Sequence, residues 1–304
     1  MRVVFAGTPE FAVPSLRALA QSDHEVVGVI TREDAPLGRK RILTPSPVAL
    51  AADELGIPVF KANKLGDEAT AWVRDLAPEL GVIVAYGGLV REPLLSLPTL
   101  GWINLHFSDL PRWRGAAPVQ RALQAGEQEL GVTVFRLVEA LDAGDVLTRD
   151  SQAFAPGTSA GEALTALSQS GTDALLAAVD GLADGSLVGE PQTGDASYAH
   201  KLSREDGRLD LSLPTQSVLA HWAGVTPEPG AFVQVDDQPL KVLEASAVEQ
   251  ITGVLPGAAT IQKGKAVLNL VDGALELTRV QPAGKAAMDG AAWLRGRGEE
   301  AVAR

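Results

Sequence analysis

The sequence predicts an α/β fold with a mostly parallel sheet, followed by a smaller part that is built from short strands. Two observations carry this prediction. Up to residue 184, apolar runs that do not alternate with polar residues are separated by helical stretches, which is typical of a parallel sheet covered on both faces. From Leu209 onward, short strand-like runs follow one another between turn signals such as Asp236-Asp237 and Asp272-Gly273, which favours a small β-barrel or sandwich.

The strands and helices of the first part follow in order along the chain. The first strand ends in a turn at Gly7, where Thr8 is expected to cap a helix with Pro9 at its first position. Ser46 and Pro47 mark the start of a later helix in a similar way. The predicted strands are 2–6, 25–31, 58–60, 80–85, 102–105, 131–138 and 145–150, and the predicted helices are 9–20, 47–55, 67–76, 116–125 and 159–184.

Two segments lack a regular pattern. Residues 32–45 form a charged loop that contains Gly and Pro, and its length alone suggests a function. Residues 186–208 show no clear periodicity and are interpreted as a linker between domains. We therefore expect a sheet-containing domain at 1–187, a linker at 188–208 and a β-rich domain at 209–304.

Composition limits the chemistry that the chain can carry out. It has no cysteine, which excludes disulfides, thiolate nucleophiles and cysteine-ligated metals, and its four histidines are too scattered for a zinc site, so we expect no metal. No apolar run approaches the roughly 18 residues of a membrane-spanning helix, and the first strand is too short for a signal peptide. We expect a cytoplasmic protein that does not contact a membrane.

The charge of the chain bears on nucleic-acid binding. A net charge of −12 argues against general coating of nucleic acid, since non-specific binding needs cations that neutralise phosphates. A specific RNA site stays open because residues 39–41 are all basic, and Arg112, Arg114 and Arg121 form a second basic cluster. A solvated surface is the alternative interpretation of either cluster.

The most informative segment is 101–120, GWINLHFSDLPRWRGAAPVQ, in which a buried strand runs into a polar loop bounded by proline. Asn104 and His106 are two residues apart, so their side chains are expected on the same face of that strand. In open α/β sheets, ligands bind at the carboxyl ends of the strands. The segment is therefore the first place to expect chemistry.

These residue types suit the transfer of a carbonyl group between nitrogen atoms, which passes through a tetrahedral intermediate. An Asn amide can donate to the developing oxyanion, and a His can move a proton near neutral pH. A carboxylate that orients or charges the His completes the set, and Asp142, in the turn 141–145, is the best candidate. Each residue also has a structural alternative, since Asn and Asp are common turn residues and a lone His is often structural.

Several motifs resemble the folate-dependent formyltransferase family, and the likeness covers nearly the whole chain. The matching segments are FAGTPEFAVPSL at 5–16, GRKRILTPSPV at 38–48, IVAYG at 83–87, INLHFSDLPRWRGAAPVQ at 103–120, LDAGDVL at 141–147, YAHKLSREDGRLD at 198–210 and VQPAGKAAM at 280–288. The long segment at 103–120 is the most specific of them. The resemblance implies a Rossmann-like catalytic domain at 1–187 and an OB-like domain that contacts tRNA at 209–304.

The resemblance also implies a reaction. The donor would be 10-formyltetrahydrofolate, and the acceptor would be the amino group of methionine on initiator methionyl-tRNA, giving the N-formylmethionyl-tRNA of translation initiation. The Asn-x-His pattern and the later Asp of the family fall on Asn104, His106 and Asp142. In this hypothesis Asn104 holds the formyl oxygen, His106 stabilises the intermediate, and Asp142 positions His106 and relays protons. The acceptor amine must be neutral to attack, so activity should fall at acid pH.

The same resemblance assigns binding residues. The folate-binding positions are Tyr86, Gly87, Gly88, Leu89, Val90, Ser108, Asp109, Leu110 and Pro111, with a further wall at 138–142. The tRNA-binding positions are Arg39, Lys40, Arg41, Lys201 and Arg204, and we expect a monomer. Phe107 and Asp109 depart from the family pattern, which suggests a narrower formyl pocket and a carboxylate in a folate wall that is normally apolar.

Three alternative functions stay open. The chain could formylate another amine, such as glycinamide ribonucleotide or an amino-sugar nucleotide, although the former usually needs no C-terminal barrel. It could be a dehydrogenase or nucleotide-binding enzyme, but Gly7 is a single glycine where the dinucleotide fingerprint needs three, and there is no Walker A sequence. It could be a non-catalytic RNA-binding protein, which the complete set of Asn104, His106 and Asp142 disfavours.

Overall fold

The computed structural model describes residues 1–38, 40–250 and 253–304. Contacts between residues divide the chain into two compact units. The first contains 1–116, 131–152 and 164–199, and the second contains 117–130, 153–163 and 200–304. The domain and linker boundaries at 187 and 208 stay a prediction.

The chain forms short strands throughout and helices of very different length. In chain order the strands are β1 (Arg2–Gly7), β2 (Glu25–Thr31), β3 (Ala35–Leu37), β4 (Ile42–Thr44), β5 (Val59–Lys61), β6 (Leu80–Val84), β7 (Trp102–His106), β8 (Arg114–Gly115), β9 (Glu129–Arg136), β10 (Val146–Ala153), β11 (Tyr198–Ala199), β12 (Phe232–Val235), β13 (Gln238–Val248), β14 (Ala258–Gln262), β15 (Lys265–Asn269), β16 (Ala274–Pro282), β17 (Met288–Asp289) and β18 (Glu300–Val302). The α-helices are α1 (Val13–Gln21), α2 (Pro47–Glu54), α3 (Asp67–Leu76), α4 (Pro118–Gln124), α5 (Ala160–Ala183), α6 (Thr215–Val225) and α7 (Gly290–Arg295), and single 3-10 turns cover Glu10–Ala12 and Glu205–Gly207.

The first unit is built on a seven-stranded sheet with the order β10-β9-β7-β6-β1-β2-β5. The strands from β5 through β2, β1 and β6 to β7 pair in parallel, and β9 pairs with β7 in the antiparallel direction. Residues Val3 to Ala6 and Val82 to Val84 are buried, which explains why these strands do not alternate in polarity. The prediction of a mostly parallel sheet is confirmed.

The pairing of β6 with β7 fixes the position of the strand that carries Asn104 and His106. Gly81 pairs with Trp102 in register, and a Cβ on Gly81 would overlap the indole ring, so only glycine fits there. The ring of Trp102 is 1% exposed, and its Nε1 donates to the carbonyl of Leu94 at 2.9 Å. The start of β7 is thereby anchored in the core, and its carboxyl end projects from a fixed register.

The second unit contains a curled antiparallel sheet with the strand order β12-β13-β16-β15-β14-β18, and β17 pairs with β16. Gln234 of β12 and Arg304, just beyond β18, exchange two backbone hydrogen bonds of 2.9 Å, which join the first strand to the chain end. The core of this unit contains Trp222, Leu268 and Trp293. The prediction of a small OB-like barrel is confirmed.

Two helices of the second unit, α6 and α7, were not predicted. The first turn of α6 is capped from far away, because Asp272 Oδ1 accepts from both the backbone nitrogen and the hydroxyl of Thr215 at 2.8 Å each. Such a cap leaves no local sequence signal. The cap of α7 is local, since Asp289 accepts from the backbone nitrogen of Ala292 at 2.7 Å, but the helix has only six residues.

Two predictions about helix starts have different outcomes. Ser46 caps α2, with its hydroxyl accepting from the backbone nitrogen of Ala49 at 3.0 Å, as predicted. The predicted capping role of Thr8 is wrong. Its hydroxyl donates instead to the carbonyl of Tyr86 at 3.0 Å, and the helical segment begins with a 3-10 turn after Pro9.

The predicted loop at 32–45 contains an antiparallel hairpin. Ala35 pairs with Thr44 and Leu37 pairs with Ile42, so β3 and β4 form its two arms. Arg39, which the sequence marks as a tRNA contact, lies outside the described residues. Within the described ranges, no helix combines the length and the apolar character of a membrane span.

Candidate active site

Asn104 and His106 lie on β7 in the interior of the sheet. Asn104 is in register with Ile83 of β6 on one side and with Phe135 of β9 on the other. The intervening Leu105 points to the opposite face and is 1% exposed. Asn104 is half-buried, and its side-chain amide makes no hydrogen bond with the residues that the structure describes. Its two N–H donors are therefore free for a ligand oxygen.

The hydrogen bonds of His106 define which ring nitrogen carries the proton. Nε2 lies 3.0 Å from the carbonyl oxygen of Trp113, which can only accept, so Nε2 donates. In the neutral ring Nδ1 then carries the lone pair, and it faces Asp142 Oδ2 at 4.0 Å. The ring is 7% exposed and packs edge-on against Phe135, with 6.2 Å between the ring centroids.

Burial sets the charge of His106. Removal from water lowers the pKa of the imidazole below its ordinary value, while the Asp142 carboxylate and the Trp113 carbonyl act in the opposite direction and only partly compensate. His106 is therefore neutral at physiological pH. It can accept a proton at Nδ1, on the side where Asp142 would stabilise the resulting imidazolium.

The Asp142 carboxylate is fixed by the backbone of β8. Oδ2 accepts from the backbone nitrogen of Gly115 at 2.7 Å, and the side chain is 11% exposed. Asp142 has a φ of 45°, a left-handed conformation that Asp tolerates better than most residues. Gly144, two residues on, packs so closely that a Cβ would overlap the Arg136 carbonyl. Only glycine therefore fits at position 144, where the turn packs against the end of β9.

The loop after His106 is held by internal hydrogen bonds. The Ser108 hydroxyl donates to the carbonyl of Arg112 at 2.7 Å, which closes the loop on itself. The Thr133 hydroxyl donates to the carbonyl of Ser108 at 2.7 Å and accepts from the backbone nitrogen of Leu110 at 3.2 Å. Thr133 pairs with His106 across β7 and β9, so one buried hydroxyl ties this loop to the sheet.

Trp113 was missed by sequence reasoning, because it acts through its backbone. Its φ is 60°, a conformation that is unfavourable for a bulky residue. Its backbone nitrogen donates to the Ser197 hydroxyl at 2.9 Å, and its carbonyl accepts from His106. A backbone carbonyl has no residue signature, so no sequence pattern could have identified this contact.

The loops predicted to contact folate present apolar side chains to solvent. Leu89 is 63% exposed, Val138 is 41% exposed and Leu141 is 53% exposed. Large exposed aliphatic residues in loops are what an aromatic ligand would cover. The residues present thus fit a folate.

Other predicted folate positions have structural roles. Tyr86 is 1% exposed and its hydroxyl donates to the carbonyl of Ala62 at 2.6 Å, and burial raises the pKa of that hydroxyl. The carbonyl of Gly87 accepts from Arg32, and a Cβ on Gly88 would lie 2.5 Å from the Tyr86 ring. The remaining buried members of the predicted set are Val90, Ser108, Leu110 and Pro111.

The side chains at the two departures from the family pattern both make contacts within the protein. Asp109 is exposed, and its carboxylate forms an ion pair with Arg149. Phe107 is buried, and its ring packs edge-on against Phe11 with 5.5 Å between the centroids. Both side chains are thus occupied by contacts within the first unit.

The predicted tRNA contacts are exposed where the structure describes them, namely at Lys40, Arg41, Lys201 and Arg204. Parts of the second basic cluster are engaged within the protein. Arg114 donates to Gln192, and Arg121 donates to the carbonyl of His200 and contacts Asp206 at 3.2 Å each.

A cavity of about 860 Å³ lies beside the loop that holds His106. It is lined by residues 109–113, by Val146 and Arg149 of β10, and by residues of the segment 190–197. Asn104, His106 and Asp142 do not line this cavity. Among the described residues, no three His, Asp or Glu side chains come together in a way that could hold a metal ion.

The fold and this set of side chains define an α/β enzyme whose polar groups converge at the end of a central parallel strand. The model of the family described as "Formyl transferase" matches residues 1–179, and that of "Formyl transferase, C-terminal domain" matches residues 201–298. The chain belongs to the formyl transferase family.

Similar proteins agree with this family membership. A methionyl-tRNA formyltransferase from Leifsonia xyli subsp. xyli is 55% identical over 303 residues, which span 99% of this chain and 99% of that protein. The solved methionyl-tRNA formyltransferase from Clostridium thermocellum superposes with a TM-score of 0.57 at 13% identity, covering 90% of this chain and 100% of that one. WlaRD, a sugar 3N-formyl transferase, superposes with a TM-score of 0.68 at 14% identity, covering 94% and 99%. At these identities the two solved structures bear on the fold alone.

Proposed function

We propose that this protein transfers the formyl group of 10-formyltetrahydrofolate to the amino group of methionine on initiator methionyl-tRNA. The product would be the N-formylmethionyl-tRNA of translation initiation. The observation that carries this proposal is the 55% identity, over almost the full length of both chains, to a methionyl-tRNA formyltransferase. The free amide of Asn104 beside the buried His106 supports it on chemical grounds.

Asn104 is proposed to hold the formyl oxygen. The folate supplies the formyl carbon, and its ring system would lie against the exposed side chains of Leu89, Val138 and Leu141. As the acceptor nitrogen bonds to that carbon, negative charge develops on the oxygen, and the Asn104 amide donates to it. A preorganised donor in a partly dry site stabilises such charge more than water does.

His106 and Asp142 are proposed to handle the protons. His106 is neutral, so Nδ1 can take the proton that the attacking amine loses, which places a positive charge beside the oxyanion. Asp142 stabilises that imidazolium, and through a bridging water the same proton is relayed to the departing folate nitrogen, which leaves His106 neutral again. The 4.0 Å between Nδ1 and Oδ2 leaves the pair adjustable, since no direct hydrogen bond locks it.

The tRNA would be contacted by both units. In this proposal Arg39, Lys40, Arg41, Lys201 and Arg204 neutralise phosphates, although the chain as a whole carries a net charge of −12. We also propose that the protein acts as a monomer in the cytoplasm.

The acceptor is the point on which alternatives differ, because WlaRD, a sugar 3N-formyl transferase, has the same fold. The test is formyl transfer with four parallel acceptors: methionyl initiator tRNA, methionyl elongator tRNA, glycinamide ribonucleotide and an amino-sugar nucleotide. Formylation of the initiator tRNA alone is expected. Transfer to a small amine with none to tRNA would overturn the proposed acceptor.

A further inference from the structure

We propose that Gln192 is a positioning residue for formyl transfer. Its side chain ties the turn of Asp142 to Arg114, and the two chain neighbours of Arg114 hold His106 and Asp142 through their backbones. The inference rests on the proposed function, since it concerns the geometry of the same site. Gln192 lies in the segment that the sequence suggested was a linker, and the reaction as described gives it no role.

One end of the Gln192 amide holds the turn. Nε2 donates to the carbonyl of Asp142 at 2.8 Å and to the carbonyl of Gly144 at 2.9 Å. An amide nitrogen has two hydrogens, so both are used on this one turn. The bonds brace Asp142 at its own backbone, where its positive φ is maintained.

The other end of the amide holds Arg114. Oε1 accepts from Arg114 Nη2 at 2.6 Å and from Nε at 3.2 Å. Arg114 stands between Trp113, whose carbonyl accepts from His106, and Gly115, whose nitrogen donates to the Asp142 carboxylate. Gln192 therefore spans the two backbone segments that set the distance between His106 and Asp142.

The backbone on both sides of Gln192 is itself anchored, so the side chain has a fixed origin. Glu190 and Val146 exchange backbone hydrogen bonds of 2.7 and 2.9 Å. On the other side, the carbonyl of Ser197 accepts from the nitrogen of Arg114 at 2.8 Å, and that of Ala199 accepts from Ala116 at 2.9 Å. Because the backbone on both sides of Gln192 is fixed, its side chain can hold the Asp142 turn in place.

Only an amide can make all four bonds. Glutamate could still accept from Arg114, but it has no hydrogen to donate and would bring a negative charge against two carbonyl oxygens. Methionine has a similar length and makes neither set of bonds. A shift of about 1 Å at a reacting group costs about 100-fold in rate, so loosening this turn should affect catalysis more than binding.

The experiment compares wild type with Gln192→Met and Gln192→Glu. Both variants are expected to lower kcat for formyl transfer by roughly 10- to 100-fold, while the Kd for 10-formyltetrahydrofolate changes less than about two-fold. Gln124→Met is the matched control, since Gln124 also accepts from an arginine, Arg121, at 3.0 Å but, among the described residues, makes no hydrogen bond with the Asp142 turn. The control is expected to keep wild-type kcat.

A readout that needs no activity tests positioning directly. The pKa of His106 is followed by NMR in wild type and in Gln192→Met. Because Asp142 raises that pKa against the effect of burial, a loosened Asp142 should let it fall further. Arg114→Met, alone and combined with Gln192→Met, should give non-additive losses, since both changes break the same bridge.

The outcomes separate the two proposals. Normal kcat in both Gln192 variants, or a loss of kcat with an unchanged His106 titration, would overturn the positioning role. If wild type formylates no tRNA, the proposed acceptor fails, but the His106 titration in Gln192→Met still decides the inference about Gln192.

Discussion

His106 Nδ1 lies 4.0 Å from Asp142 Oδ2, while Nε2 of the same ring is held by the Trp113 carbonyl at 3.0 Å. The first distance is too long for a hydrogen bond, but a charge on the ring would still interact with the carboxylate. The pair is therefore weakly coupled when His106 is neutral and becomes strongly coupled once Nδ1 takes a proton. When a step protonates His106, the Asp142 carboxylate therefore stabilises the imidazolium that forms.

The lowered pKa of His106 predicts how stability depends on pH. The folded state binds this proton less readily than the unfolded chain does, so the native protein loses stability as pH falls below the ordinary histidine pKa of about 6.5. The slope from one such group approaches about 1.4 kcal/mol per pH unit. Urea unfolding of wild type and His106→Gln between pH 5 and pH 8 measures it. The variant should have the flatter profile, and parallel profiles would contradict the burial argument.

Asn104→Ala tests the oxyanion donor. The amide has no partner among the described residues, so its removal should cost little stability, whereas kcat should fall by about 100- to 1,000-fold. Single-turnover transfer with saturating donor measures the chemical step. Asn63→Ala, which removes an exposed amide bonded to Glu33, is the control and should retain full activity. A loss confined to KM would mean that Asn104 binds ground and transition states alike.

Gly144→Ala tests whether the backbone of the Asp142 turn is fixed by its close packing against Arg136. The added methyl would overlap the Arg136 carbonyl, so the turn must shift, which should cost about 1–3 kcal/mol of unfolding free energy and lower activity as well. Gly66→Ala is the matched control, since a Cβ there meets nothing within 4 Å and its φ is negative. Equal stability of the two variants in urea titrations would show that the turn can relax.

Arg39→Ala tests the proposed role of Arg39 in binding tRNA. If Arg39 neutralises one phosphate, the variant should bind tRNA more weakly, and the slope of log K against log salt should decrease by about one unit. Folate affinity should not change. Arg17→Ala removes the same charge from α1, where Arg17 pairs with Glu54, and should leave the slope as in wild type. Reduced folate affinity in Arg39→Ala would count against the assignment.

Much of the first unit follows from local patterns. The apolar run at 25–31 becomes β2 with the same limits, because a strand buried on both faces is visible in the sequence itself. The cap at Ser46 is likewise local. Helix α6 was not predicted because its cap is Asp272, which lies 57 residues further along the chain.

In the candidate site, too, features with a local sequence signal were predicted and features that depend on distant contacts were not. The spacing of Asn104 and His106 predicted that they share a strand face, and Asp142 was predicted as the carboxylate that completes the set. The structure places Asp142 Oδ2 4.0 Å from His106 Nδ1. The Trp113 carbonyl and the Gln192 bridge were missed, since one belongs to the backbone and the other spans 50 residues to Asp142. Contacts of this kind arise from the fold and have no signature in spacing.

The most direct test of the account is single-turnover formyl transfer to methionyl initiator tRNA by wild type, Asp142→Asn and Asp145→Asn. Asn at 142 can still accept from the Gly115 nitrogen but carries no charge and is a poor base, so transfer should fall by about 100- to 10,000-fold while folate Kd stays near wild type. Asp145→Asn, an exposed change in the same turn, should transfer at the wild-type rate. Near-normal transfer by Asp142→Asn would contradict the claim that Asn104, His106 and Asp142 together carry the chemistry.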